Sequence, residues 1–268
     1  MSGKFSAREL FLLIAGLAVL LIGSWGLVVW LTVPSPGSND QAAWELTVKR
    51  LIRGQLETAL NATEIRKPVT TKALATIAKR LDDGLRSPLP YPVEIVVADL
   101  PEINAFTFPG GLIVVSRSLL LHAKDPEEVA AVLAHEMGHV AYHDSANSLK
   151  SGLLLASLAV LTNNQGAVDE LIQTVTKNAF ARSVEDRADE FAFEVLTRAK
   201  IRPSRLADFL ASLPESPQGK FVQKNLPYLL DHPAQQQRIQ KARQAPFTGN
   251  EDPLPVDWAA VNEELAPR

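Results

Sequence analysis

The residues with the clearest chemical potential form a short run, His135-Glu136-Met137-Gly138-His139. Positions i and i+4 of a helix lie on one face, so both imidazoles can reach a single ion. Zinc suits them, because it takes imidazole nitrogens at about 2.0–2.1 Å in tetrahedral geometry. Glu136 sits beside the first histidine and addresses a water at the metal rather than the metal itself, which reads as a general base. Val129, Ala130, Val132 and Leu133 precede the run and are apolar, so the helix reads as buried. Buried His and Glu side chains are costly unless they are paired or ligated. Gly138 costs about 1 kcal/mol against Ala in a helix. Its missing side chain leaves room for the metal or a close neighbour.

A catalytic zinc takes a third protein ligand and keeps one position open. The chain has no cysteine, which excludes disulfides, thiolate catalysis and Cys-based zinc sites. Its histidines are His122, His135, His139, His143 and His232. His143 comes one turn past His139 and reads as a helix-end residue favoured by the C-terminal dipole. Glu185 and Asp189 share a helix face beside Ala181, Ala188, Ala192 and Val195. Two readings stand there. Glu185 is the third ligand and Asp189 accepts the free N–H of a ligand imidazole, or both belong to a charged surface paired through Arg182 and Arg187.

The elements that must position these groups follow from periodicity and punctuation. Helices are predicted over 44–65 and from a Thr70 or Thr71 cap to about residue 85. Residues 93–98 read as a buried strand. Residues 104–108 and 112–115 read as two short strands, joined by a tight turn at Pro109-Gly-Gly111. Ser116 caps a short helix. Asp125-Pro126-Glu127-Glu128 opens the histidine-bearing helix, with Asp125 as N-cap and Glu128 completing a capping box. That helix should run to about residue 144. The apolar stretch 151–161 is too short to span a bilayer. Further helices are predicted over 167–200, from Pro203 to 213, and after Pro233. The sum is an α+β fold, mostly helical with a small β-sheet, over 44–245, with an irregular tail over 246–268.

No charged residue occurs between positions 10 and 39, and 10–33 is nearly all apolar. Roughly 20 apolar residues suffice for a helix to cross a hydrocarbon core of about 30 Å. Residues 10–33 therefore read as one transmembrane helix in the lipid bilayer, with 34–43 as a linker. Lys4 and Arg8 precede the segment, and the next basic residue is Lys49. The positive-inside rule then puts 1–9 in the cytoplasm and the rest outside it, in the periplasm if the source is bacterial. The rival expectation is a secreted protein whose signal peptide is cleaved. Its apolar region would span about 7–15 residues and end in a small-x-small cleavage site, and no Ala-x-Ala closes this segment. A net charge of −3 offers no basic footprint for nucleic acid.

Four stretches in order extend the pattern. They are Asn104-Ala105-Phe106 with Pro109-Gly-Gly111, His135 to His139, Arg182-Ser-Val-Glu185-Asp-Arg-Ala-Asp189, and His232-Pro-Ala-Gln-Gln-Gln-Arg238-Ile239. Together, over about residues 90–242, they resemble the membrane-linked zinc metallopeptidases that include the HtpX heat-shock protease, the CAAX prenyl endopeptidase and the Oma-type quality-control protease. The resemblance implies a gluzincin-like zincin fold with one Zn(2+) per chain. It implies Glu185 as the third ligand, with Asp189 behind the ligands. It implies His232 as a donor to the transition state, and Asn104, Ala105 and Phe106 as an edge segment pairing with polypeptide substrates. By themselves, His232 reads as a surface loop residue and 104–108 as an ordinary hairpin arm. Two positions depart from the family: Ala181 stands where Ser is usual, and Asp231 where Thr is common. The implied activity is a membrane-anchored endopeptidase of protein quality control. The alternative is a peptide-binding or chaperone-like zinc protein with low turnover.

Overall fold

Pro68 opens a helix at a position where its missing N–H is not needed and its φ is already set. That helix buries Thr70, Ala73, Leu74, Ile77 and Leu81, an i, i+3, i+4, i+7 stripe. The same logic orders the rest. The structure, a computed structural model, describes residues 39–150, 181–213 and 235–267, with positions 166, 169 and 172 between them. The chain divides into two units, 1–44 and 45–268, and all contacts below belong to the second. In chain order the elements are α1 (Asn39–Leu60), α2 (Pro68–Asp83), β1 (Glu94–Ala98), β2 (Ala105–Phe108), β3 (Leu112–Ser116), α3 (Arg117–His122), α4 (Pro126–Ala141), α5 (Asp144–Lys150), α6 (Arg182–Arg198), α7 (Ser204–Ser212), α8 (Gln235–Gln244) and α9 (Trp258–Leu265). The predicted membrane segment 10–33 and the apolar stretch 151–161 lie outside the described residues. Among the described residues no helix is long and apolar enough to cross a membrane.

The expected α+β architecture is present. The sheet has the order β1-β3-β2, with β1 parallel and β2 antiparallel to β3. Gly110 and Gly111, at φ +76° and +78°, make the β2–β3 turn that the sequence predicts. Every residue of β3 is buried, as befits the central strand. α4 is buried from Pro126 to Val140 and packs on β2, α6 and α7. Asp125 caps it, its Oδ1 accepting from the Glu128 N–H. The reciprocal bond of the capping box reaches one residue further back, to the Lys124 N–H rather than that of Asp125.

The start of α2 differs from expectation, since Pro68 opens it behind Lys67 rather than behind a Thr70 or Thr71 cap; three further differences each have a local reason. α1 ends at Leu60 because Asn61 turns left-handed, at φ +49°. Glu64 then bridges Ala98, and the Ile65 N–H bonds the Val97 carbonyl at the outer edge of β1. α4 stops at Ala141 because His143 is left-handed, at φ +56°, and the chain restarts as α5. The third difference is the tail, which is not irregular throughout. Asp257 caps α9 through the Ala260 N–H, and Trp258, Val261 and Leu265 bury one face. From α9, Glu264 accepts from the Val69 and Thr70 N–H groups and the Thr70 hydroxyl. The N-terminus of α2, which its own N-cap Lys67 leaves without a side-chain cap, is thereby satisfied. The Trp258 indole N–H bonds the Ala123 carbonyl just before α4. The tail is thus part of the frame that holds α4.

Candidate metal centre

α4 and α6 cross where Gly138 meets Ala188. A Cβ on Gly138 would stand 2.9 Å from both the Cα and the carbonyl oxygen of Ala188, so the helix needs glycine here for a close neighbour. The crossing sets the His135 and His139 face of α4 against Glu185 and Asp189 on α6. All four side chains are fully buried. The two Nε2 atoms are 3.1 Å apart. His135 Nε2 is 3.5 Å from Glu185 Oε2, and His139 Nε2 is 3.6 Å from Glu185 Oε1. These residues form a group that could hold a metal ion. For zinc bonds of about 2.0–2.1 Å, neighbouring tetrahedral donors lie about 3.3–3.4 Å apart. The donor spacing and the His-His-carboxylate chemistry both fit zinc.

Each imidazole is aimed from behind by a carboxylate. His135 Nδ1 is 2.9 Å from Asp189 Oδ1, and His139 Nδ1 is 3.0 Å from Asp144 Oδ2. Donation from Nδ1 fixes the tautomer that presents the Nε2 lone pair to the centre. Asp189 thus stands behind His135. Asp144 was not foreseen, because a continuous helix would carry the fifth residue after His139 about 140° around the axis. The turn at His143 brings it back. His143 itself stays at the helix end, bonded through Nδ1 to Glu45 at 2.8 Å and to the Tyr91 hydroxyl at 3.0 Å. Arg187, stacked 4.2 Å from the Tyr142 ring centroid, pairs with the second Asp144 oxygen.

Arg238, from α8, is the largest fully buried side chain described. Its Nε and Nη2 each donate to Asp189 at 2.8 Å, and its Nη1 lies 3.0 Å from Glu185 Oε2. Nη2 is almost equally far from both ring nitrogens of His135, at 3.2 and 3.3 Å. That position is beside the ring rather than on either lone pair. Burial alone would raise the Asp189 carboxyl. The Arg238 charge overcomes this and, with His135, holds it well below the usual carboxylate range. Burial, helped by the Arg238 charge, pushes the His135 imidazole down to about 4 against the pull of Asp189 and Glu185.

A depressed histidine favours the neutral ring in the folded chain. Its contribution is complete above the unfolded value of about 6.5 and is lost as the pH falls toward about 4. For His135 in the metal-free protein the expected loss is about 3 kcal/mol. Urea unfolding of the metal-free protein from about pH 7 down to about pH 4 checks it. Stability that stays constant over that range would count against it.

Glu136 points to the sheet side of α4. Its Oε2 accepts from the Thr107 hydroxyl at 2.7 Å, and its backbone carbonyl is 3.1 Å from the same hydroxyl. Thr107 was not singled out from the sequence. Its signal was its place in β2, one strand position beyond Phe106.

β2 is an edge strand among the described residues. The Ser116 N–H bonds the Asn104 carbonyl, so ladder alternation turns the Ala105 and Thr107 backbones toward the free edge. Both are engaged there. Asn104 Oδ1 accepts from the Ala105 N–H, and the Ser145 hydroxyl of α5 donates to the Thr107 carbonyl. Asn104 and Ala105 are buried and Phe106 is half-buried. His232 lies outside the described residues. Arg238 entered the sequence reading only as part of a motif, with no role.

The sequence profile described as peptidase family M48 matches residues 68–245. The chain is 28% identical over 191 residues to the Beta-barrel assembly-enhancing protease of Yersinia pestis, covering 66% of this chain and 39% of that protein. It is 29% identical to Metalloprotease LoiP of Escherichia coli, over 64% of this chain and 69% of that one. It is 31% identical to Mitochondrial metalloendopeptidase OMA1 of Arabidopsis thaliana, over 57% and 31%.

Proposed function

The chain belongs to peptidase family M48, and from that premise we propose that it is a zinc metalloendopeptidase with His135, His139 and Glu185 as metal ligands. One observation carries the reading: His135 Nε2, His139 Nε2 and the Glu185 carboxylate converge with spacings of 3.1, 3.5 and 3.6 Å, with Glu136 on the same helix. When bound, zinc supplies a Lewis acid and lowers the pKa of a bound water to about 7. The remaining work falls to the chain. Glu136 takes the proton of the attacking water and delivers it to the leaving amine. Thr107 holds the Glu136 carboxylate by its Oε2. Asp189 and Asp144 hold the two imidazoles in register. His232 is the proposed donor to the developing oxyanion. An extended substrate adds to the free edge of β2 at Asn104, Ala105 and Phe106, displacing the Asn104 and Ser145 bonds that engage that edge.

We place the protein on a membrane through residues 10–33, with the catalytic domain outside the cytoplasm, acting on unfolded polypeptides in protein quality control. The apolar run and the flanking charge of the sequence support the placement. A relative named for assisting β-barrel assembly agrees with the quality-control role.

A hydrogen bond to a charged group contributes about 1.5–3 kcal/mol. Thr107→Val is therefore expected to lower kcat/KM by roughly 10- to 100-fold with zinc content unchanged. Steady-state kinetics beside metal analysis checks this; a variant with wild-type kcat/KM would remove Thr107 from the site. The function itself is tested by casein hydrolysis. Chelator should abolish cleavage and added zinc restore it. Peptide binding without turnover in the zinc-loaded protein would favour a chaperone-like protein instead.

A further inference from the structure

Glu185, Asp189 and Arg238 are buried against one another beside the two imidazoles, and Glu136 is buried on the helix that carries those imidazoles. The three carboxylates, if ionised, carry three negative charges, and the guanidinium carries one positive charge. A divalent ion brings the positive total to three, so the group is neutral only when both cations are present. Arg238 stands against the donor set itself. Its Nη1 is 3.0 Å from Glu185 Oε2, the oxygen that faces His135 Nε2. Its Nη2 is 3.3 Å from that same nitrogen. Its firmest grip is on Asp189, held by two bonds of 2.8 Å.

A buried carboxylate without a partner is strongly destabilising, and a guanidinium cannot shed its charge to relieve the site. We propose that Arg238 is the stand-in cation of the metal-free centre: it steadies Glu185 and Asp189 when no ion is bound, then yields Glu185 to the ion and keeps Asp189. The inference rests on Glu185 being a metal ligand. It has two consequences. The ligands stay assembled without metal, and incoming metal competes with a fixed like charge.

The test compares melting temperatures of the full-length protein, metal-free and zinc-loaded, for wild type, Arg238→Met and Arg238→Lys. Arg238→Met should lower the metal-free melting temperature more than the zinc-loaded one, widening the zinc-induced shift by about 5 °C or more. Arg238→Lys, which keeps the charge, should fall between. In the metal-free protein, Glu185→Gln should raise the melting temperature when residue 238 is already Met and lower it in wild type. Equal falls in both forms would make Arg238 a mere tie between helices and overturn the inference. A narrower zinc shift would make it an orienting group and also overturn it. If Arg238→Met does not fold without metal, Arg238→Lys decides by the same comparison. A wild-type protein with no zinc shift at all would overturn the ligand reading, and this inference with it.

Discussion

Glu136→Gln is expected to leave the zinc content of the protein unchanged and to lower peptide hydrolysis by about 100- to 10,000-fold, the usual span for losing a positioned general base. The change keeps the size of the side chain and removes only its ability to take a proton. Glu136 offers no atom to the group formed by His135, His139 and Glu185, so the metal has no reason to leave. The Thr107 hydroxyl can still donate to the amide oxygen, so the side chain keeps its orientation. Metal analysis and a peptidase assay on one preparation separate the two effects. A variant that cleaves at the wild-type rate would take the base role from Glu136. One that loses zinc would mean the residue holds the centre together.

Glu185→Ala is the second large effect. It would remove one of the three proposed donors from a fully buried site. Outer partners of ligands are worth about 10- to 100-fold in metal affinity. Losing the ligand itself should exceed that, so the purified variant should carry little zinc and no activity. Full occupancy by metal analysis would remove Glu185 from the ligand set. Asp189→Ala provides the scale. It withdraws only the acceptor behind His135, and its affinity should fall within the outer-partner range.

The contrast between these two residues explains what the sequence could tell. His135, Glu136 and His139 were legible because i, i+4 spacing on a capped, buried helix is local information. Glu185 was not fixed by its own surroundings. Its meeting with α4 depends on the Gly138–Ala188 crossing, a contact between residues 50 positions apart. The helix-face pattern alone leaves Glu185 open between a ligand and a charged surface, and the resemblance to a family is what favours the ligand. Asp144 was hidden further. Periodicity carried the helix smoothly to about residue 144, and the break at His143 is held by Glu45 and Tyr91, from distant parts of the chain. Eight residues give α9 too few turns for periodicity alone to mark it, and its Asp257 cap, unlike Ser116 before the six-residue α3, lies in a Pro-rich tail. In retrospect Trp258, Val261 and Leu265, following the Asp257 cap, were its signal. The strands, the Gly110–Gly111 turn and the Ser116 and Asp125 caps were read correctly, since each rests on chemistry within a few residues.

One zinc ion is proposed to sit among His135, His139 and Glu185. Anomalous diffraction at the zinc edge, on crystals of the protein purified without added chelator, tests it most directly. The expected result is a single peak per chain between the two Nε2 atoms and the Glu185 carboxylate. A peak at another group of side chains, or none after zinc has been supplied, would contradict it.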